Sequence, residues 1–274
     1  MLESRTTKRL RTLTVWVMVL LAVAPFAFMA RVGLASPRDI HSGSPDWLAP
    51  IYGYNMTDVL TDPAFLGAMG RSILVAVASS TITLAAAAPA AYVTARTRFR
   101  GRRDLEFWVL TTRMLPAVVV VIPYFVLFRT IGGIDTVWAL IIMHTVVNLA
   151  LVFFLLRSFF ADLPSAVFEA AAIDGAGAFR SFFAIGLPMV RNGLAAAFVI
   201  SFIFSWNEFV FALTVASGSA QTISVAMLGY IQFQSIALGP LMAAATLAVV
   251  PVAVVLAIAQ RQLVTGMSFG AVKG

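Results

Sequence analysis

The chain has 274 residues, of which 61% are hydrophobic and only 11% are charged. Soluble domains average roughly 45–50% apolar and about 25% charged residues, so this composition excludes an ordinary soluble domain and predicts a surface that faces lipid. The net charge of +7 would also fit a nucleic-acid partner. Cytoplasmic loops that collect basic residues account for the same charge, and we expect no nucleic acid. The lack of cysteine excludes disulfides and thiolate sites.

Six segments are long and apolar enough to cross a bilayer, which takes about 20 residues per helix. In chain order they are Thr12–Ala30, Ser72–Ala95, Phe107–Phe128, Thr136–Leu156, Asn192–Leu213 and Ala237–Gln260. The first one also resembles a secretory signal peptide. Its apolar run of 19 residues is longer than the apolar core of a signal peptide, which has roughly 7–15 residues. The sequence therefore predicts an all-α membrane protein with six transmembrane helices.

Basic residues indicate the orientation of these helices, because Lys and Arg accumulate in cytoplasmic loops. Fourteen of the 19 basic residues lie in the two termini and in the loops between helices 2 and 3 and between helices 4 and 5. Four lie in the opposite loops, and Arg113 falls inside helix 3. Both termini and these two loops are therefore predicted to face the cytoplasm. In the first outward loop, Trp47, Tyr52 and Tyr54 are candidates for aromatic anchors at the headgroups.

The loop between predicted helices 4 and 5 has a helix–turn–helix pattern. Helix-forming residues run from Glu169 to Ile173, and Gly175 then breaks the helix. A second stretch, Ala178–Ile185, places several aromatic residues near one face, and Leu187-Pro188 is expected to end it. The exposed apolar residues need a partner surface, and from the pattern alone this surface is either a protein or the lipid interface.

This loop resembles the EAA motif of the permease subunits of binding-protein-dependent ABC importers, a pattern that it matches without a gap. The matching residues are Glu169, Ala170, Ala171, Gly175, Ile185, Leu187 and Pro188. The stretch from Ile173 to Ala176, which contains Asp174, resembles the carbohydrate branch of that family, the MalG-like permeases. Supporting similarities are Ala91-Tyr92 with Arg96, Phe128-Arg129, Asp135-Thr136, Phe159-Phe160, Leu163-Pro164, Trp206-Asn207-Glu208 and the tail Gly270–Gly274. Arg71, Ala150 and Asn192 depart from the family pattern.

The resemblance implies the type I ABC importer permease fold in a bacterial inner membrane. It divides the chain into residues 1–66, a permease domain at 67–262 with a coupling loop at about 165–188, and a tail at 263–274. The eight residues expected to dock on the ATPase are Glu169, Ala170, Ala171, Asp174, Gly175, Ile185, Leu187 and Pro188. The implied partners are a MalF-like second permease in a heterodimer, a MalK-like ATPase dimer, a solute-binding protein and a carbohydrate.

The chain itself contains no phosphate-binding loop of the form G-x-x-x-x-G-K-[ST]. His41 and His144 do not have the spacing of metal ligands. We therefore expect neither an enzymatic site nor a cofactor in this chain, and we expect ATP and Mg²⁺ to be bound by the partner ATPase.

Polar residues inside the predicted spans are candidates for the substrate pathway, because such groups usually face a bundle interior or water. The candidates are Tyr124, Asn148, Trp206, Asn207 and Glu208. Amide groups suit sugar hydroxyls, and aromatic rings can stack on a sugar face. As alternatives, Asn148 bridges two helices and Glu208 pairs with Arg113.

Several functions remain open at this level. A sugar importer is the first, and an importer of the same architecture for a glycerol phosphate or a polyol is the second. A self-contained secondary carrier or channel and a membrane scaffold or assembly factor are alternatives from other classes. The uncharged segment 214–236, with Gln221, Gln232 and Gln234, is predicted to face outward and to meet the solute-binding protein.

Overall fold

The computed structural model describes residues 5–41, 50–231 and 236–268, and this part of the chain is almost entirely helical. The helices are α1 (Arg5–Gly33), α2 (Pro37–His41), α3 (Tyr54–Thr61), α4 (Pro63–Arg96), α5 (Arg102–Met114), α6 (Ala117–Thr130), α7 (Val137–Ala161), α8 (Ser165–Ile173), α9 (Ala178–Arg180), α10 (Leu187–Met189), α11 (Arg191–Trp206), α12 (Val210–Val215), α13 (Ile223–Ala226) and α14 (Leu238–Ser268). The predictions on Trp47, Gln232, Gln234 and the tail Gly270–Gly274 fall outside the described residues.

The all-α fold is confirmed. Four helices, α1, α4, α7 and α14, are long and apolar enough to cross a membrane as continuous segments. Two bent pairs, α5 with α6 and Ala178–Met189 with α11, bring the number of spans to six when each pair counts as one. The helices extend beyond the predicted spans; α4, for example, has 34 residues.

α4 begins on a local sequence signal. The Asp62 carboxylate accepts a hydrogen bond from the backbone N–H of Ala64 at 2.9 Å, as an N-capping residue does. Pro63 follows as the first helical residue, where its missing N–H costs nothing. Asp-Pro thus fixes the start of the helix several residues before the predicted span Ser72–Ala95.

The predicted third span, Phe107–Phe128, is not one straight helix. α5 and α6 meet at an angle of 95°. Leu115 is extended (φ −74°, ψ 125°), which is the conformation that the following Pro116 imposes on it. Arg113 therefore lies in the last turn of α5, next to the bend, and not in the interior of one long helix.

The predicted fifth span, Asn192–Leu213, is interrupted as well. α11 ends at Trp206, and a shorter helix, α12, resumes at Val210. The three residues between them, Asn207, Glu208 and Phe209, are outside both helices. At the other end, α11 is bent by 75° from the segment that precedes it.

The chain forms two compact units. The first combines Met1–Leu66 with Met227–Val250, and the second combines Gly67–Ala226 with Pro251–Gly274. Within the first unit, a Cβ atom on Gly33 would lie 2.9 Å from Ala243 Cα, so α1 and α14 are in close contact. Asn55 donates to the carbonyl of Ala35 at 3.1 Å and ties α3 to the end of α1.

The core of the second unit is built around α7. Its buried residues include Leu140, Met143, Val152, Phe153 and Leu156. α7 packs against α11, α5 and α12. The close approach of α7 and α11 depends on Gly193, where a Cβ would lie 2.5 Å from Phe159 Cγ.

We expect Gly193→Ala to destabilise the core of the second unit by roughly 1–3 kcal/mol, because the added methyl group overpacks the contact with Phe159. Gly70→Ala is the matched control, since it also adds a methyl group in a helix and nothing lies within 4 Å of that position. Thermal unfolding in detergent, followed by circular dichroism, measures both. Equal stability of the two variants would show that α7 and α11 do not pack this closely.

Candidate functional site

The coupling loop predicted from the sequence begins with α8, which ends in a complete Schellman motif. Gly175 has a φ of +78°, in the left-handed region that favours glycine. Its N–H donates to the carbonyl of Ala172 at 3.1 Å, and the N–H of Ala176 donates to that of Ala171 at 2.8 Å. Nothing lies within 4 Å of a Cβ on Gly175. Within this chain, glycine is therefore required by the backbone turn and not by a close neighbour.

One face of α8 is buried and the other is free. Ala171 is only 8% exposed, and Phe168 is half-buried against the core. Ile173 is 88% exposed, and Glu169, Ala170, Asp174 and Gly175 are exposed too. The carboxylate of Glu169 accepts no hydrogen bond from any residue that the structure describes. The motif residues thus form a projecting surface.

The buried face of α8 rests on the end of α4. Arg96 Nη1 donates to the carbonyl of Leu163 at 2.9 Å, and its guanidinium lies 4.2 Å from the centre of the Phe168 ring. The Tyr92 ring contacts the rings of Phe168 and Phe182, with centroid distances of 6.0 and 5.2 Å. These contacts attach the predicted coupling loop to the end of α4.

The second half of the loop differs from the prediction. Leu187-Pro188 does not end the helical stretch, which continues as α10 to Met189. Residues Ser181–Gly186 form a wider π-helical turn, in which the N–H of Leu187 donates to the carbonyl of Phe182. The wider turn accommodates the proline that follows it, so the chain remains helical.

The aromatic residues of this half do not all face outward. Phe182 is buried, whereas Phe179 and Phe183 are 77% and 50% exposed. Of the remaining motif residues, Pro188 is exposed, and Ile185 and Leu187 are half-buried. The predicted docking residues therefore share one surface only in part, since Ala171, Ile185 and Leu187 also contribute to packing.

Inside the membrane region, the structure joins polar groups from three parts of the chain. His144 Nδ1 lies 2.6 Å from Ser205 Oγ, which lies 3.1 Å from Ser79 Oγ. His144 Nε2 lies 3.5 Å from a carboxylate oxygen of Glu208. The chain Ser79–Ser205–His144–Glu208 therefore links α4, α11 and α7 to the break after α11.

Glu208 also stabilises the start of α12. Its two carboxylate oxygens accept the backbone N–H groups of Phe211 and Ala212, each at 3.0 Å. These N–H groups would otherwise lack partners at a helix start. Arg113 lies 4.9 Å from the ring centre of Phe204. The suggested pairing of Glu208 with Arg113 is therefore wrong, and His144 is the neighbour of Glu208.

The five residues predicted for the substrate pathway occupy different environments. Asn148 is buried and donates to the carbonyl of Ser201 at 3.4 Å, so it bridges α7 and α11. Trp206 is buried and stacks on Phe202, and Tyr124 is half-buried beside Phe211. Asn207 is exposed, while Glu208 is half-buried. Trp206, Asn207 and Glu208 are consecutive residues at the helix break that follows α11.

A second polar cluster lies in the loops predicted to face outward. Asp135, in the turn between α6 and α7, accepts hydrogen bonds from the backbone N–H groups of Gly218, Ser219 and Ala220 at 2.6 to 3.0 Å. The Ser219 hydroxyl donates to the same carboxylate at 2.8 Å. A Cβ on Gly218 would lie 2.5 Å from it. Asp135 thus fixes the conformation of the loop after α12.

The start of the α4 span holds the same loop from another side. Arg71 Nε donates to the carbonyl of Gln221 at 2.9 Å, and Ser72 Oγ accepts the N–H of Ile223 at 2.7 Å. Arg71 was a departure from the family pattern, and here it anchors the loop after α12, which is predicted to face outward. Sequence reasoning missed this cluster and the partners of His144, because the contacts join residues 61 to 151 positions apart.

Comparison with known proteins establishes the family. Residues 84–269 match the family described as the binding-protein-dependent transport system inner membrane component. The chain belongs to this family. It is therefore a multi-pass inner-membrane protein and the permease of an ABC importer.

Individual relatives of this permease cover most of its length. It is 35% identical to the diacetylchitobiose uptake system permease protein NgcG of Streptomyces coelicolor over 86% of this chain and 77% of the relative. It is 30% identical to the trehalose/maltose transport system permease protein MalG of Thermococcus litoralis over 94% of both chains. A bacterial ABC transporter involved in alginate import has the same fold, with a TM-score of 0.79 at 20% identity, covering 96% of this chain and 99% of the other.

We expect Gly175→Ala to destabilise the end of α8 by roughly 1–2 kcal/mol, because a side chain is strained in the left-handed region. Gly175→Asn should be tolerated better, since Asn adopts this conformation more readily. Hydrogen exchange of residues 169–180 measures the effect. Equal protection in wild type and in both variants would contradict the role of the Schellman turn.

We expect Asp135→Asn to lower the thermal stability of the permease at neutral pH. The hydrogen bond from the Ala220 N–H, supported by those from Ser219 and Gly218, holds the pKa of Asp135 below its ordinary value of 3.8. A lowered pKa means that the carboxylate stabilises the fold fully above pH 4 and loses this effect as the pH falls through the lowered value.

Thermal unfolding of the wild type and of Asp135→Asn as a function of pH measures this effect. The difference between them should shrink as the pH falls below about 4. Asp58→Asn, which changes an exposed carboxylate in α3, is the control and should have little effect at any pH. A difference that grew in acid would contradict the assignment.

Proposed function

We propose that this permease translocates a sugar that a solute-binding protein delivers, and that the surface of α8 couples it to a separate ATPase. The projecting α8 surface on a rigid base is the observation that carries this proposal. A surface that transmits force must be exposed to its partner and must be fixed to the helices that it moves. Ile173 and Glu169 meet the first condition, and the contacts of Arg96 and Tyr92 meet the second.

The carbohydrate assignment draws on the relatives and on the chemistry of the helix break. The names of two relatives state diacetylchitobiose and trehalose or maltose as their solutes. Asn207 is exposed at the break, and its amide nitrogen donates to Ile203, which leaves the amide oxygen for a sugar hydroxyl. Glu208 is engaged by His144 and by α12, so we assign it to shaping the break. Tyr124, Asn148 and Trp206 pack within the core here, and their contact with substrate stays a prediction.

The proposed assembly contains a second, MalF-like permease as heterodimer partner, a MalK-like ATPase dimer and an extracytoplasmic solute-binding protein. ATP and Mg²⁺ are bound by the ATPase and not by this chain. The family description supports a binding protein as partner. We propose that the segment 214–236 contacts this binding protein, and its described part is held in one conformation by Asp135 and Arg71.

The decisive experiment is reconstitution of the permease with the binding protein, second permease and ATPase that co-purify with it, followed by measurement of ATPase activity. A panel of mono-, di- and oligosaccharides is tested together with glycerol phosphate and a polyol. We expect at least one sugar, with its binding protein, to stimulate ATP hydrolysis. Stimulation only by glycerol phosphate or the polyol would show that the substrate belongs to that class and is not a sugar. Transport by this chain alone without ATP would contradict the importer mechanism.

We expect Glu169→Ala to reduce stimulated ATPase activity and uptake by roughly tenfold or more. In the docked complex of this variant, the basic or amide group of the ATPase that faces Glu169 would lack a partner. The thermal stability of the isolated permease should not change, since Glu169 is exposed. Asp162→Asn, which alters another exposed carboxylate near α8, is the control and should retain activity. Equal activity of both variants and wild type would show that Glu169 does not couple.

A further inference from the structure

α5 and α6 cross the membrane together, because neither helix is long enough to cross it alone. They have 13 and 14 residues. A helix of 14 residues is about 21 Å long, whereas the hydrocarbon core of a bilayer is about 30 Å thick. The bend at Leu115-Pro116 therefore lies within the thickness of the bilayer and not at its surface.

Arg113 lies deep in this span. Glu106, seven residues earlier in α5, accepts a hydrogen bond from Arg157 Nε at 2.9 Å in the last turns of α7. Seven residues of helix rise by about 10 Å. α5 thus carries Arg113 into the bundle, where its guanidinium carbon lies 4.9 Å from the ring centre of Phe204. Phe204 directly precedes Ser205, which belongs to the buried polar chain that joins α4, α7 and α11.

The charge of Arg113 is not neutralised by this chain. The side chain is exposed, and its guanidinium has no ion pair or hydrogen bond with any residue that the structure describes. Glu106 is engaged by two other arginines, and Glu208 is engaged by His144 and by the start of α12. A guanidinium that faces acyl chains is costly, so an arginine at this depth is expected to face water or a polar partner.

The groups around Arg113 have the same requirement. No described residue donates a hydrogen bond to the backbone carbonyls of Arg113 and Met114, since the helix stops there. Met114 and Leu115 are 70% and 54% exposed, so this chain does not cover the bend. Asn207, one turn beyond Phe204 on α11, is exposed as well. Interrupted backbone at membrane depth is tolerated where it is buried against protein or lines a water-filled cavity.

We propose that Arg113, Phe204 and Asn207 line a water-filled translocation pathway and that Arg113 is a specificity-determining residue that contacts the solute. This inference rests on the importer function proposed above. The guanidinium only donates hydrogen bonds, and Asn207 Oδ1 only accepts them, because the amide nitrogen donates to the carbonyl of Ile203.

A pair of neighbouring hydroxyl groups satisfies both sides of this surface. Each hydroxyl can accept and donate, so one accepts from the guanidinium of Arg113 while the next donates to Asn207. The ring of Phe204 lies against the guanidinium, restricts its orientation and leaves its other N–H groups free. The surface therefore suits a vicinal diol, the chemical group that sugars and polyols share.

The first test measures whether this surface is in contact with water. The sequence contains no cysteine, so a single introduced cysteine reports on one position. Arg113→Cys and Asn207→Cys are assembled in lipid nanodiscs with the binding protein, second permease and ATPase that co-purify with the chain. They are treated with a membrane-impermeant sulfonated thiol reagent, and mass spectrometry measures labelling of this chain.

Leu20→Cys is the matched control, because Leu20 is 66% exposed in the apolar span of α1. A thiol reacts as its thiolate, which forms in water and not among acyl chains. We expect both pathway variants to be labelled roughly tenfold faster than Leu20→Cys, or more. Labelling of Arg113→Cys in the complete complex that is as slow as that of Leu20→Cys would overturn the proposal. The same measurement on the permease alone then distinguishes a lipid-facing position from one covered by the second permease.

The second test asks what Arg113 recognises. Arg113→Gln keeps N–H donors without the charge, and Arg113→Leu has neither. We expect Arg113→Leu to lower solute uptake by roughly tenfold or more and Arg113→Gln to retain more uptake than Arg113→Leu. In the Asn207→Cys chain, bound solute should slow labelling, and Arg113→Leu should remove this protection without changing the rate in the absence of solute. A purely structural role would not produce that result, and thermal unfolding verifies that the variants are folded.

Two results would contradict the role in recognition. Wild-type uptake and solute protection in Arg113→Leu would show that Arg113 does not contact the solute. If Arg113→Lys retained uptake while Arg113→Gln was as inactive as Arg113→Leu, positive charge would be the property that matters. The solute would then carry a carboxylate or a phosphate, and the vicinal-diol assignment would be wrong. The comparison of labelling rates with Leu20→Cys needs neither solute nor ATP, so it is decided independently of whether any sugar stimulates ATP hydrolysis.

Discussion

The absence of hydrogen-bonding partners in the bilayer constrains every interruption of a helix in this permease. At the break between α11 and α12, the carboxylate of Glu208 accepts the N–H groups of Phe211 and Ala212 and contacts His144. His144 is held in turn by Ser205, and Ser205 by Ser79. A helix break inside a membrane protein is tolerated where side chains satisfy the freed backbone groups. This polar chain therefore permits the core to contain a break that exposes Asn207.

Two further interruptions change the direction of the chain. The Schellman turn at Gly175 ends α8 sharply and leaves its last residues projecting, while Arg96 and Tyr92 fix its buried face. The bend at Pro116 turns α5 away from α6. In the loops at the predicted outward side, the carboxylate of Asp135 organises the chain after α12. At each of these places, a Gly, a Pro or a capping carboxylate determines the backbone conformation, and a side chain from a distant segment holds it in place.

Much of the fold was predictable because its signals are local in the sequence. Apolar length predicts the spans, and the Glu169–Pro188 pattern indicates the family and predicts the coupling loop. The errors also have local causes. The apolar run through Pro116 predicted a continuous helix, although the proline forces a bend. Pro188 predicted a helix end, although the π-helical turn before it accommodates the proline. Periodicity and hydropathy do not report whether a helix bends or widens around a proline.

By itself, the sequence determined that the protein spans a membrane, that it is helical, which family it belongs to and which loop is predicted to couple it to an ATPase. These properties follow from composition and from residues close together in the chain. Only the tertiary structure decided that His144 faces Glu208, that Asp135 holds Gly218–Ala220, and that Arg71 anchors Gln221. Such pairs form because of the way in which the long helices pack side by side. Packing depends on the close fit of small residues such as Gly193 against Phe159, which no local pattern encodes.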